Sequence, residues 1–242
     1  MIPKVIWQTH EYDFKDLPYP YNLNAKTWIE KNPRYKYNYV NAEARRNQID
    51  FLRPDLLYMY DQVPSKVTQA DIWRYVVLAE YGGFYADLDS VCLKPLNIDL
   101  TQEFIATAGK GYFKCKGNWE TFENVQTKHI ECDQYTSDEI NNSHFACSSK
   151  NKILNHLLEV VKQNFEIAYP NGVGMYDMDH HHITDPIVYA NLLLQYKARV
   201  SKSIVYYEPV HKGYDKCTTG WARDLLEICH GDLHKNTYIA VD

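Results

Sequence analysis

Residues 70–89 read Ala70-Asp71-Ile72-Trp73-Arg74-Tyr75-Val76-Val77-Leu78-Ala79-Glu80-Tyr81-Gly82-Gly83-Phe84-Tyr85-Ala86-Asp87-Leu88-Asp89, and the fold turns on how they divide. Ser65 or Thr68 is placed to cap a helix running to about Tyr81, with Ile72, Trp73, Val76, Val77 and Ala79 spaced for burial on one side. Gly82 stands just past the last periodic residue, where a helix ends most easily in a left-handed conformation. With Gly83 it permits a sharp helix-to-strand turn and close backbone approach. Gly83 to Asp89 then reads as a strand running out into a loop.

Upstream, Lys4 to Thr9 is a short apolar run after Pro3 and reads as a buried first strand. Asn24 to Lys31 reads as a helix ended by Asn32-Pro33. Tyr35 to Val40 alternates as a second strand, and Asn41 or Ala42 onward to Phe51 is helical in composition. Downstream, Gly109 to Asp138 has weak periodicity and predicts hairpins or long loops, whereas Asn151 to Glu166 and Thr184 to Gln195 have the spacing of amphipathic helices. Strands alternating with helices predict an α/β fold with a mostly parallel central sheet. No repeat, linker or break in composition divides residues 1–242, so a single domain is expected.

The chain has 242 residues, 45% hydrophobic and 24% charged, with 10 Gly and 10 Pro, which excludes collagen-like and largely disordered chains. Its net charge of −5, without a basic block, argues against nucleic acid as a partner. No run approaches the roughly 20 apolar residues of a transmembrane segment. The opening Met1-Ile2-Pro3-Lys4-Val5-Ile6-Trp7 lacks a signal peptide's basic and apolar regions, so a soluble, cytoplasmic chain is expected. Six cysteines without a C-x-x-C pair read as free thiols, and Asn141-Asn142-Ser143 as a chance glycosylation triplet.

The chemistry concentrates at Asp87 and Asp89. Two apart on a strand, their carboxylates would leave one face while Leu88 points into the core. Two such oxygen donors suit Mg²⁺ or Mn²⁺ held jointly with substrate phosphates. Asp71 and Arg74, three apart, share a helix face, as an ion pair, a solvated face or part of the site. Asp87-Leu88-Asp89-Ser90-Val91 also fits the D-x-D-x-[TV] pattern of haloacid-dehalogenase-like phosphatases, whose first Asp is a nucleophile. Such chains usually carry that motif on the first strand, and Gly231-Asp232 matches their later acidic motif only in part. His180-His181-His182 reads as a polar loop, since consecutive residues on regular backbone cannot all face one ion; Gly172-Val173-Gly174 is too short for a phosphate loop. Most of the 21 tyrosines read as packing residues with a wet hydroxyl.

The pattern A-D-x-x-R-Y-x-x-L-x-x-x-G-G-x-Y-x-D-x-D over residues 70–89 resembles the sugar-binding region containing the DxD motif of glycosyltransferase family 32, and more distantly the clostridial glucosylating toxins. Ile2 to Thr9 matches the family's first strand, Asn32-Pro33-Arg34-Tyr35 its lead into the second, and Ile140 to Ser148 resembles a later segment; the likeness is strong over residues 2–97 and thin beyond. It implies a GT-A fold, with a nucleotide-sugar half over about 1–97 and an acceptor half over about 98–242. It also implies a retaining transfer of a hexose from a nucleoside diphosphate sugar, UDP- or GDP-linked, to a saccharide acceptor, with Mn²⁺ or Mg²⁺, in the building of capsule-type or cell-surface glycans.

By that resemblance Asp89 binds the metal, Asp87 binds metal or ribose, and Asp71 and Arg74 hold the donor sugar and its phosphate side. Ile6, Trp7, His10, Tyr85 and Leu88 would line the donor, with His10 standing where many members have a base-stacking Trp. His211 is the nearest match to the family's C-terminal metal ligand, with His230 and His234 as alternatives. Thr184-Asp185-Pro186 departs from the family's T-G-P. A nucleotide-sugar binder without catalysis is the alternative that keeps the same donor site.

Overall fold

The computed structural model describes residues 1–63, 65–92, 95–109, 139–170, 204–207 and 228–230. β1 (Val5–Thr9), α1 (Tyr21–Lys31), β2 (Lys36–Val40) and α2 (Ala42–Leu52) come in the predicted order. Helix α1 begins at Tyr21 rather than Asn24, because the Pro20 carbonyl already accepts the N–H groups of Leu23 and Asn24 at 2.9 and 3.0 Å. A 3-10 turn at Pro54–Leu56 and a short α3 (Leu57–Gln62) occupy a stretch whose composition suggests no element. Next come α4 (Lys66–Tyr81), β3 (Gly83–Ala86), β4 (Ser90–Cys92), β5 (Phe104–Gly109), β6 (Glu139–Cys147), α5 (Lys152–Ala168), β7 (Ile204–Tyr207) and β8 (Ile228–His230). Residues 110–138, Gly172–Gly174, His180–His182 and Thr184–Gln195 lie outside the described residues.

Six strands form one sheet in the order β2-β1-β3-β6-β5-β7. The pairs β1/β2, β1/β3 and β5/β7 are parallel, while β6 runs antiparallel to both β3 and β5. The sheet is therefore mostly parallel, with one reversed strand near its middle. β4 and β8 make a separate antiparallel pair.

The sheet is buried on both faces, so adjacent residues feed different cores. Trp7, Tyr85, Phe104, Phe145 and Cys147 join the larger core beneath α2, α3, α4 and α5. Their neighbours Ile6, Phe84, Ala86, Ile105 and Ala146 join the smaller core with Trp28 of α1. Helix α4 lies within the larger core, and every residue from Asp71 to Ala79 is buried. That corrects the expectation of a helix buried along one stripe. A helix covered on all sides needs partners for its polar residues, and Asp71 and Arg74 supply each other's.

The turn from α4 to β3 forms as predicted. Ser65 caps α4, its side chain accepting the N–H of Thr68, and Gly82 ends the helix at φ 66°. A Cβ on Gly82 would lie 2.5 Å from the Ser149 nitrogen, and one on Gly83, at φ 108°, would lie 2.7 Å from the Val5 carbonyl oxygen. Both neighbours are backbone, so neither can move aside cheaply. Asn151 caps α5 by accepting the N–H groups of Ile153 and Leu154, each at 3.1 Å. Cys92 and Cys147 are buried. Among the described residues no helix is long and apolar enough to cross a membrane.

Candidate active site

β3 ends at Ala86 and gives way to a turn instead of more strand: the Ser90 N–H donates to the Asp87 carbonyl at 3.2 Å. The common face expected for Asp87 and Asp89 from strand alternation therefore does not hold. Asp87 keeps the Tyr85 side of the sheet, whereas Leu88 is buried in a small cluster with Leu17 and Ala25. The charge of Asp89 acts on Tyr21 at the start of α1, where it joins burial in raising that phenol. Asp87 and Asp89 are half-buried, at positions one and three of a tight turn at the carboxyl end of a central strand, the usual ligand end of an α/β sheet.

Asp87 is tied to α4. Its Oδ1 accepts from the Tyr85 hydroxyl at 2.6 Å and lies 3.3 Å from Arg74 Nη2. The same Nη2 is 2.9 Å from Asp71 Oδ1, and Arg74 Nη1 donates to the Asn142 carbonyl at 2.8 Å. The Arg74 guanidinium sits 4.4 Å from the centre of the Tyr85 ring, in cation–π range. Burial opposes the Arg74 charge, but Asp87, Tyr85 and Asp71 outweigh it and push its pKa up, so it stays a cation. Burial, joined by Asp87, drives the Tyr85 phenol well up, so it stays a neutral donor. Asn142 of β6 closes the cluster, donating to Tyr75 Oη at 2.8 Å and to Asp71 Oδ1 at 3.5 Å. Asp71 and Arg74 thus form an ion pair on a buried face, not a solvated one.

The remaining candidates divide. Ile6 and Trp7 place their side chains in the two cores, with Trp7 Nε1 donating to the Gly82 carbonyl at 2.9 Å. Their side chains hold β1 and the glycine turn. His10, just beyond β1, stacks on Tyr12 at 5.3 Å and meets Tyr21 at 4.6 Å, forming an aromatic cluster on the Asp89 side of the turn. His211 and His234 lie outside the described residues; the β4/β8 register sets His230 opposite Ser90, next in sequence to Asp89.

Sequence reasoning missed the side chains that carry the turn. Gln8 Nε2 donates to the Asp87 carbonyl at 3.2 Å, Asn24 Nδ2 to that of Leu88 at 3.1 Å, and Trp28 Nε1 to that of Ser90 at 3.0 Å. The only signal was weak: Asn24 and Trp28 are four apart, on one face of α1. The donor chemistry at Asp87 and Asp89 fits a hard divalent cation, two carboxylates on one turn that leave coordination positions for phosphate oxygens. Among the described residues no group of three or more His, Cys, Asp or Glu could hold a metal unaided.

Residues 18–105 match the family described as "Glycosyltransferase sugar-binding region containing DXD motif", a span that holds Asp71, Arg74, Asp87 and Asp89. Over that stretch the chain is similar to the sugar-binding region of the DXD glycosyltransferases. It is 37% identical over 100 residues to an initiation-specific alpha-1,6-mannosyltransferase of Candida albicans, covering 39% of this chain and 26% of that protein. It is 35% identical over 96 residues to inositol phosphoceramide mannosyltransferase 3 of Schizosaccharomyces pombe, covering 40% and 26%. The likeness thus spans about a quarter of the length of these relatives. The fold resembles the ligand-free glycosyltransferase domain of the YGT toxin, with a TM-score of 0.54 at 11% identity over 85% of this chain and 80% of that one. The match over residues 18–105 and the GT-A fold bear out the resemblance read from residues 70–89.

Proposed function

We propose that this chain is a cation-dependent, retaining glycosyltransferase that moves a hexose from a nucleoside diphosphate sugar to a saccharide acceptor. The observation that carries the reading is the Asp87–Asp89 turn locked by Tyr85 and Arg74 to a buried acidic partner, Asp71, inside the matched region. The mannosyltransferase names of both relatives favour mannose as the hexose. In this reading the first half of the chain, about 1–97, meets the donor and the rest meets the acceptor, in the assembly of cell-surface glycans.

Asp87 and Asp89 would hold Mn²⁺ or Mg²⁺ together with the donor diphosphate. When bound, the ion offsets charge that builds on the departing diphosphate. The protein's own work is positional. Arg74 holds Asp87 and Asp71 in place, so that Asp71 can take hydroxyls of the donor sugar while the guanidinium faces its phosphate side. His10 and Tyr12 offer aromatic faces for the base.

Calorimetric titration of UDP and GDP, each with and without Mn²⁺, tests this on the wild type and on Asp87→Asn/Asp89→Asn. Binding of one nucleotide that needs Mn²⁺ and disappears in the double variant is expected, followed by sugar transfer from the matching donor in the wild type alone. A double variant that binds as the wild type does refutes the assignment. Mn²⁺-dependent binding without transfer to any saccharide acceptor would favour the non-catalytic binder.

A further inference from the structure

We propose that Gln8, Asn24 and Trp28 are positioning residues: their side-chain N–H groups grip the Asp87–Ser90 turn by its main-chain carbonyls and so fix where its two carboxylates meet a divalent cation. The inference rests on reading that turn as the cation site.

A turn at the rim of a sheet ordinarily gives its carbonyls to water and keeps some freedom. Here three carbonyls within four residues, those of Asp87, Leu88 and Ser90, each accept from a different side chain, at 3.2, 3.1 and 3.0 Å. The donors come from β1 and α1, more than 60 positions away in sequence, and are 0%, 2% and 0% exposed for Gln8, Asn24 and Trp28. Leaving such a donor unsatisfied costs about 1–3 kcal/mol, so the grip and the turn stand or fall together. Gln8 is itself aimed: the Tyr37 hydroxyl donates to its Oε1 at 2.8 Å, which leaves Nε2 for the Asp87 carbonyl. The Leu88 side chain, buried beside α1, seats the turn from its other side.

These hydrogen bonds go to backbone oxygens and not to the carboxylates, so the grip acts on a bound cation through geometry alone. Groups that orient metal ligands from behind typically change affinity by about 10- to 100-fold when removed.

Free Mn²⁺ measured by electron paramagnetic resonance, in the presence of whichever nucleotide the wild type binds, reports affinity without needing turnover; thermal midpoints are recorded in parallel. Asn24→Leu is expected to weaken Mn²⁺ binding about 10-fold. Tyr37→Phe, which removes only the hydroxyl that aims Gln8, should shift it in the same direction by a smaller factor. Thr27→Val is the control: it lies on the same helix but holds the Cys92 N–H, at 2.9 Å, and not the turn. It should lower the midpoint and leave Mn²⁺ affinity at the wild-type value. If Asn24→Leu loses midpoint as Thr27→Val does yet binds Mn²⁺ like the wild type, the residue is merely structural and the inference is overturned. Should Asn24→Leu not fold, wild-type affinity in Tyr37→Phe overturns it equally. A wild type that binds no Mn²⁺ with either nucleotide overturns the cation reading itself, which separates the two failures.

Discussion

Arg74 is the residue on which the site's electrostatics depend, because it is buried and still makes three directed contacts, to Asp71, Asp87 and the Asn142 carbonyl. Arg74→Met removes the charge that pairs with the nearly buried Asp71, and breaking such a pair should cost about 3–5 kcal/mol. Urea denaturation would measure the loss. The double variant Asp71→Asn/Arg74→Met should recover part of that stability but none of the nucleotide-sugar binding; full recovery of binding would remove both residues from the donor site. His10 gives a second test at this scale. Burial holds its imidazole below the ordinary 6.5, with Arg45 acting in the same sense and Glu11 against it. The unfolded chain then binds the proton more readily, so the stability linked to neutral His10 is fully present above about pH 6.5 and is lost as pH falls through the lower folded value. The thermal midpoint of the wild type should therefore fall more between pH 7.5 and 5.5 than that of His10→Phe, and parallel curves would contradict the burial argument. The Asp71–Arg74 pair was legible because a spacing of three sets both residues on one helix face. Gln8 was not, since a side chain bonding to a remote backbone carbonyl leaves no spacing to read, and Asn24 and Trp28 offered only the four-residue spacing of one helix face.

The elements that could be read were those whose cause is local. Helix α4, its Ser65 cap and its glycine stop lie within one stretch, and so do Asn151 and the helix it caps. What failed was the strand alternation expected across Asp87 and Asp89, because the Asp87–Ser90 hydrogen bond and the grip of α1 on the next carbonyls set those residues in a turn. The partial burial expected for α4 failed for a similar reason, since α5 packs over it from a distant part of the chain. The glycine turn is where an element-scale prediction is sharpest. Gly83→Ala must keep φ near 108° with a Cβ 2.7 Å from the Val5 carbonyl oxygen and 3.1 Å from Trp7 Nε1. The strain falls on the β1/β3 contact that carries the site, and about 1–3 kcal/mol is the scale of such a conformation. Gly83→Ala should lose at least that much by denaturant unfolding, with Mn²⁺-dependent nucleotide binding weakened in the fraction that folds. An Ala variant as stable as the wild type would mean that the turn relaxes around the added methyl.

At the scale of the molecule, the reversed strand matters most. The resemblance placed a division near residue 97, yet β6, from residues 139–147, inserts between β3 and β5 and brings Asn142 and Ser143 to the site. The Ser143 carbonyl accepts the Asp87 N–H at 2.9 Å, so the Asp87–Ser90 turn is braced from the far half of the chain as well as from α1. The larger core is shared in the same way: Trp73, Tyr75 and Val77 of α4 pack in one cluster with Phe145 of β6 and Leu154, Leu158, Val161 and Phe165 of α5. The matched region and the larger core therefore have different boundaries. A fragment of residues 1–97 would leave β3 with one free edge and uncover the α5 side of α4, exposing apolar surface worth about 25 cal/mol per Å². It should show no cooperative thermal transition and no fixed aromatic signal in near-ultraviolet circular dichroism, while a fragment extended through residue 170 regains β5, β6 and α5 and should regain both. A cooperative transition in the shorter fragment would show that the donor half folds alone, with β6 a later addition to a sheet already complete.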